Sequence, residues 1–141
     1  MTSSKSPPSL RQIDEPRLEA LVETMFLAAF ADGEIGDEER HEFSAEVESL
    51  TDRKLGAQAL EALVTRFAAE LEAQGRPARV AAVKARLGSP ATRKLALELA
   101  LRIVASDGII RTTERELILD LAVGLDIDRD EAADLVAKLN P

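Results

Sequence analysis

Two short acidic segments contain the residues of this chain that are best suited to chemistry. The first, ADGEIGDEER from Ala31 to Arg40, places five carboxylates and two glycines between two apolar runs. The second, SDGIIRTTER from Ser106 to Arg115, repeats the order Asp-Gly-x-Ile-x-x-x-Glu-Arg at identical spacing. Calcium, magnesium and manganese prefer oxygen ligands of this kind. The duplicated pattern predicts a divalent cation site with these candidate ligands: Asp32, Glu39, Asp107 and Glu114.

Neither segment is a complete EF-hand loop. In an EF-hand, the calcium ligands come from places 1, 3, 5, 7, 9 and 12, with glycine at place 6. Aligning Gly33 with place 6 puts Asp32 at place 5 and Glu39 at place 12, but places 1 and 3 fall on Ala28 and Phe30. The aligned carboxylates are fewer than the six to eight oxygens that calcium takes. A cation would therefore need water, or ligands pooled from both segments.

A structural role explains the same residues equally well. Gly33 and Gly108 suit the left-handed residue that ends many helices. Glu39 and Glu114 suit the first turn of a following helix, where the helix dipole favours negative charge. The sequence therefore leaves a cation site and a helix-capping turn as open alternatives.

Other catalytic chemistry has weaker support. We predict that His41, the single histidine, is a solvated surface residue, and no serine has the context of a nucleophile elbow. The chain lacks a glycine-rich phosphate loop and the Trp and Tyr residues that form sugar platforms. We therefore predict a binding or interaction module and not an enzyme. The alternative is a carboxylate-metal hydrolase, which would pool the four candidate ligands around a catalytic metal.

Composition limits the class of protein and of partner. The 141 residues suit one domain, and the net charge of −8 disfavours binding to the phosphates of nucleic acids. Because the chain has no cysteine, nothing indicates an oxidising compartment, and we expect a cytoplasmic protein. No apolar segment reaches the roughly 20 residues that span a bilayer. Residues 1–15, rich in Ser, Pro and charge, predict a flexible arm before a helical domain over residues 16–141.

Charge is unevenly distributed along the chain. The stretch from Gly75 to Leu97 contains several Lys and Arg residues and no acid. Such a stretch could dock an acidic protein, a phosphate or an anionic membrane surface. Alternatively, it is a solvated helix face that balances the acidic segments, because Val80, Val83 and Leu87 already account for a helix packed on the core.

Helical periodicity predicts an all-α fold. Apolar residues recur at helical spacing from Pro16 onward, and no stretch shows sustained alternation of period two. We predict about seven helices, which begin near these residues: Pro16, Asp37, Asp52, Pro77, Pro90, Thr112 and Asp128. The predicted N-caps include Asp37, Ser89 and Thr113. The repeat pairs the first two helices with the fifth and sixth, so we expect two pseudo-twofold related hairpins with the fifth helix at the centre.

The twice-repeated Asp-Gly-x-Ile-x-x-x-Glu turn, in an Ala/Leu-rich helical chain, resembles the tellurite-resistance TerB family. The resemblance covers about Leu18 to Leu139 and includes both acidic segments. It implies an all-helical, cytoplasmic bacterial protein that acts in resistance to tellurite and other stresses, with protein partners that include membrane-embedded ones. It also implies divalent cation binding by the acidic turns. We expect tighter binding at the first turn, because Arg111 and Thr112 replace part of its acidic surround in the second.

Overall fold

The structure, a computed structural model, describes residues 14–30, 36–51, 55–105 and 112–139. Seven α-helices run through these ranges: α1 (Glu15–Ala29), α2 (Asp37–Leu50), α3 (Ala57–Gln74), α4 (Arg76–Leu87), α5 (Pro90–Val104), α6 (Thr112–Gly124) and α7 (Arg129–Leu139). Helices account for 87% of the described residues, and no strand occurs among them. The predicted all-α class is therefore confirmed.

Side-chain caps determine where α1 and α5 begin. The Asp14 carboxylate accepts a hydrogen bond from the Arg17 backbone N–H at 3.0 Å. Ser89 caps α5 in the same way, through the Thr92 N–H at 3.2 Å, and a proline lies in the first turn of each helix. Such caps satisfy backbone donors that have no partner within the helix. The predicted start of α5 is confirmed, and α1 begins one residue earlier than predicted.

Glycines begin two helices where the prediction placed aspartates. Gly36, in extended backbone, is the N-cap of α2, so Asp37 is the first helical residue and not the predicted cap. Gly56 is the N-cap of α3, which begins later than the predicted start near Asp52. Glycine is well tolerated at N-caps because it reaches the extended conformation easily. A third difference does not involve glycine: α6 begins at Thr112, so the predicted cap Thr113 lies inside the helix.

A single glycine joins α3 to α4. Gly75 is both the C-cap of α3 and the N-cap of α4, and its φ is +88°. Residues with a side chain rarely adopt this φ, so glycine is strongly favoured. The Gly75 N–H donates to the Leu71 carbonyl at 2.9 Å, and the Gly75 carbonyl accepts from the Arg79 N–H at 3.2 Å. One residue therefore makes the whole connection between the two helices.

The centre of the core is formed by α1 and α5. Helix α1 packs most extensively against α5 and then α4, and every residue from Ala20 to Ala28 is buried. The prediction took α5 as the central buried helix; α1 packs against it and is the more enclosed of the two. In addition, α1 contacts α6 and α5 contacts α2. These cross-contacts agree with two pseudo-twofold related hairpins.

A buried ion pair connects α1 to α4. Glu23 is 1% exposed, and its two carboxylate oxygens accept hydrogen bonds from Nε and Nη2 of Arg79, each at 2.8 Å. Arg79 Nη1 also donates to Gln74 Oε1 at 3.1 Å, and Nη2 lies 3.4 Å from Glu70 Oε1. The hydrogen bonds to Glu23 raise the pKa of Arg79, although burial opposes that effect. The pair is therefore bidentate, charged and supported by further partners.

The four phenylalanines form one cluster that joins α1 to α2 and α3. The ring centroid of Phe26 lies 5.3 Å from that of Phe30, 6.1 Å from Phe43 and 5.9 Å from Phe67. The rings are tilted or edge-on, which is a favourable arrangement for aromatic pairs. The cluster therefore anchors α2, the helix that follows the first acidic segment.

Candidate functional site

Two of the four candidate cation ligands lie within the described residues. Glu39 is the third residue of α2, and Glu114 lies in the first turn of α6, whereas Asp32 and Asp107 lie outside the described ranges. Glu39 Oε1 accepts a hydrogen bond from the Gly36 backbone N–H at 3.0 Å. This is the reciprocal contact of a capping box. Glu39 therefore has the capping role that its position suggested, through one of its two oxygens.

The start of α2 carries negative charge that forms no ion pair with a Lys, Arg or His side chain in the described part of the chain. Asp37, Glu38 and Glu39 are exposed. Arg40 is directed instead to α3, where its Nε donates to Glu61 Oε1 at 2.7 Å and its Nη2 donates to the Glu61 carbonyl at 3.1 Å. Within the described ranges, no ion pair involves Asp37 or Glu38. The first turn of α2 thus keeps its negative charge.

His41 is a surface residue, as predicted. Its side chain is 87% exposed, and Nδ1 lies 4.0 Å from Glu61 Oε2. In the part of the chain that the structure describes, no three His, Asp or Glu side chains converge as metal ligands would. The pooled site of four carboxylates includes two residues outside that part, and it stays a prediction.

A groove with a volume of about 980 Å³ lies between α4 and α6 and reaches the starts of α5 and α7. Its charged lining residues are Arg76, Lys84, Arg93, Asp120 and Arg129. Gly124 lets α6 approach α4 here, because a Cβ at this position would lie 2.4 Å from Val80 Cγ1. The groove is therefore built by close helix packing, and its charged lining residues are cations except for Asp120.

Two of these cations share one carboxylate. Lys84 Nζ lies 2.6 Å from Asp126 Oδ2, and Arg93 Nη1 lies 3.6 Å from the same oxygen. Arg93 Nη1 also donates to the Leu125 carbonyl at 3.3 Å. The hydrogen bond from Lys84, together with its charge, lowers the pKa of Asp126 below the usual range. Asp126 has a left-handed backbone, with φ of +60°, which directs this connection between α6 and α7.

The other two cations, Arg76 and Arg129, have no ion pair within the described ranges. The Nη1 and Nη2 atoms of Arg76 are shielded from solvent and have no hydrogen-bond partner. Burial lowers the pKa of the Arg76 guanidinium, while the charge of Asp120 partly offsets this effect. A buried guanidinium with unused donors is unfavourable unless something else supplies acceptors.

The ion pairs of Asp126 should make the stability of the folded chain depend on pH in the acid range. Because the pKa of Asp126 is lower in the folded state, its stabilising contribution is present above the unfolded pKa and is lost as the pH falls through the folded value. Asp126→Asn should therefore lower the melting temperature slightly at neutral pH, and the difference from the parent chain should vanish in acid. Thermal melting, followed by circular dichroism from neutral pH down to acid, measures this difference in melting temperature. Asp134→Asn, at an exposed position of α7, is the matched control. A difference that does not change with pH would contradict the prediction.

A match to a protein-family model identifies the family of this chain. The family model described as tellurite resistance protein TerB matches residues 18–137, which run from α1 into α7 and include both acidic segments. The chain belongs to the TerB family. Its TerB domain is therefore one associated with tellurite resistance, and the resemblance stated from the acidic turns is confirmed.

No curated protein and no solved structure is significantly similar to this chain. Among the described residues of the TerB domain, no helix has both the length and the apolarity that crossing a bilayer requires.

The basic stretch of this TerB domain is visible in the sequence, but the groove is not. The stretch supplied Arg76, Lys84 and Arg93, and its apolar residues Val80 and Val83 are buried as expected. The facing wall comes from the last turn of α6 and the start of α7, far along the chain. The available signal was the absence of acids from Gly75 to Leu97, which left those cations without local partners.

Proposed function

We propose that this TerB-family chain is a non-catalytic interaction module of a cytoplasmic response to tellurite and related stresses, and that its first acidic turn binds a divalent cation. Family membership supports the biological role. The observation that carries the cation proposal is the exposed negative charge at the start of α2, from which Arg40 is directed away. Protein partners, including membrane-embedded ones, would bind the solvent-exposed surface of the module.

A cation would act on this turn in two ways. The consecutive, exposed carboxylates of Asp37, Glu38 and Glu39 carry like charge, so a divalent cation relieves repulsion as well as gaining ligands. Glu39 caps α2 through one oxygen, which leaves the other for a ligand role. Because α2 contacts both α3 and α5, a cation at its start would stabilise the packing of three helices.

Cation binding should raise the melting temperature in a concentration-dependent way. At about 100 times the dissociation constant, linkage gives a stabilisation of about 2.7 kcal/mol, which corresponds to several degrees. We expect this rise with calcium, magnesium or manganese, and isothermal titration calorimetry should give the stoichiometry. Zinc serves as the comparison metal, because it favours nitrogen and sulfur ligands over an all-oxygen set.

Matched double variants locate the site. Asp32→Asn with Glu39→Gln should abolish the rise, whereas Asp107→Asn with Glu114→Gln should leave most of it. Glutamine preserves the capping contact to Gly36, so the first double variant tests charge and not loss of the cap. If the parent chain shows no response at millimolar cation, and the first double variant is more stable than the parent, the turn is a helix cap only.

A further inference from the structure

The groove between α4 and α6 runs along one face of α4 from end to end. The lining residues of α4 recur at helical spacing from Arg76 to Gly88. At 1.5 Å per residue, this distance is about 18 Å. The last turn of α6, from Asp120 to Gly124, supplies the facing wall. A groove of this length accommodates about three turns of a bound helix, and it is much longer than a single phosphate or carboxylate.

The charges of the groove select an acidic ligand. Arg76 and Arg129 have no ion pair within the described ranges, while Lys84 and Arg93 have only the shared carboxylate of Asp126. A carboxylate from a ligand could accept two hydrogen bonds from the Arg76 guanidinium, whose terminal nitrogens have no partner in the free chain. Because these nitrogens are shielded from solvent in the free chain, the Arg76 side chain has to rotate toward the groove to reach the ligand, and such rotations are common when an interface forms. The unpaired cations therefore favour a partner that brings several carboxylates.

Apolar residues give the same groove an anchor point. Val123 lines it and is 54% exposed, and within the described ranges no other large hydrophobic residue is exposed. Ala81 and Ala85 of α4 also line the groove and are exposed, whereas the lining residues Val80 and Leu121 are buried and form its floor. Burial of apolar surface at the centre of a charged rim is the usual anatomy of a protein interface. A ligand with an apolar stripe would cover Val123.

We propose that this groove binds an acidic amphipathic helix of a partner protein. The apolar stripe of that helix packs on Val123 and on the exposed Ala81 and Ala85. Its flanking Glu and Asp residues pair with Arg76 and Arg129. This inference rests on the proposed role of the chain as an interaction module. It does not depend on the cation, because the groove and the start of α2 belong to different helices.

A second copy of this chain is a poorer occupant. Pairing groove to groove would place Arg76 and Arg129 of both copies together, and like charges repel. The acidic helix α2 of another copy cannot offer an apolar stripe, because its Phe43 and Val47 are buried in its own core. A different protein is therefore the better source of both the charge and the apolar contact.

The test uses a fluorescein-labelled helical peptide of about 14 residues with Leu at i, i+3, i+4 and i+7 and Glu on the flanks. Its binding to the full chain is measured by fluorescence anisotropy at low and high salt. A scrambled peptide of equal composition removes the apolar stripe, and a version with Lys in place of Glu reverses the charge. We expect the first peptide to bind more tightly than either control, with an affinity that falls as salt increases.

Variants of the chain assign the binding to the groove. Arg129→Glu should weaken the peptide about tenfold or more, whereas Arg86→Glu, on the exposed side of α4 outside the groove, should change it by no more than about twofold. Both variants change the net charge equally. Val123→Ser should weaken binding through loss of the apolar contact, because it leaves the net charge unchanged. Asp126→Asn should strengthen it severalfold, because it releases Lys84 and Arg93 for the ligand.

Several results would overturn the proposal. Equal binding of the scrambled peptide, or an equal loss in Arg129→Glu and Arg86→Glu, would mean general attraction between charges. Displacement of the peptide by inorganic phosphate at similar affinity would indicate a small-anion site, and binding to anionic lipid vesicles without peptide binding would indicate a membrane surface. Circular dichroism verifies that each variant is folded. Cation titration of the groove variants should match the parent chain, so failure of one proposal leaves the other intact.

Discussion

A fragment that ends at Gly75 should not fold as a monomer. In the whole chain α1 packs chiefly against α5 and α4, and the fragment contains neither helix. The run from Ala20 to Ala28, fully buried in the whole chain, would lose most of its cover. Each Å² of apolar surface left in water forfeits roughly 25 cal/mol. Glu23 would also lose Arg79, its bidentate partner. The fragment should show low helicity and no cooperative melting by circular dichroism.

The complementary fragment, residues 76–141, supplies the control. It should also be poorly folded alone, because the α1 side of α5 is uncovered. Mixing the two fragments should restore helicity if the missing cover is the cause. A fragment ending at Gly75 that melts cooperatively, and that sediments as a monomer, would show that the two hairpins do not share one core.

Replacing Arg79 with methionine should destabilise the chain by about 3–5 kcal/mol, because an almost fully buried carboxylate would lose its partner. Glu23 is 1% exposed and Arg79 is 5% exposed, so water cannot replace the lost hydrogen bonds without opening the α1–α4 contact. The expected loss is a large fraction of the roughly 5–15 kcal/mol that stabilises a typical domain. Because the chain has no Trp, urea unfolding should be followed by far-UV circular dichroism.

Two further variants separate the desolvated charge from the loss of an ion pair as such. Arg66→Met breaks a pair of the same length, 2.8 Å to Glu19, but both partners are partly exposed. Its cost should stay below about 1 kcal/mol. The double variant Glu23→Leu with Arg79→Met should recover most of the loss, since no unpaired charge is left in the core. If the double variant is as unstable as Arg79→Met alone, packing and not charge explains the effect.

The sequence predicted the helices well because helical periodicity and capping are local. Ser89 followed by Pro90 starts a helix by its own chemistry, and the structure confirms it. Two of the errors occur where a glycine acts as the cap. Gly36 and Gly56 begin helices without a side-chain oxygen, so the nearby aspartates were the more obvious candidates.

The groove and the ion pair could not be predicted in the same way. Glu23 and Arg79 looked like ordinary polar residues of two helices, and only the packing of α1 on α4 brings them together. The cations of the groove are visible as a basic stretch, but Val123 and Arg129 join them from helices far along the chain. Pairing between distant helices depends on the whole tertiary structure, whereas a cap depends on a few neighbouring residues.

The one-residue connection through Gly75 fixes the rotation of α4 about its own axis relative to α3. With one residue between the two helices, inserting another would turn α4 by about 100° about its axis. The rotation would carry Arg79 away from Glu23 and move Arg76, Val80 and Lys84 off the groove in the same step. The face of α4 that pairs with Glu23 and the face that lines the groove therefore both depend on the connection through Gly75. We expect homologous chains to vary the exposed side chains of this helix outside the groove, such as Arg86, but to conserve its phase relative to α3.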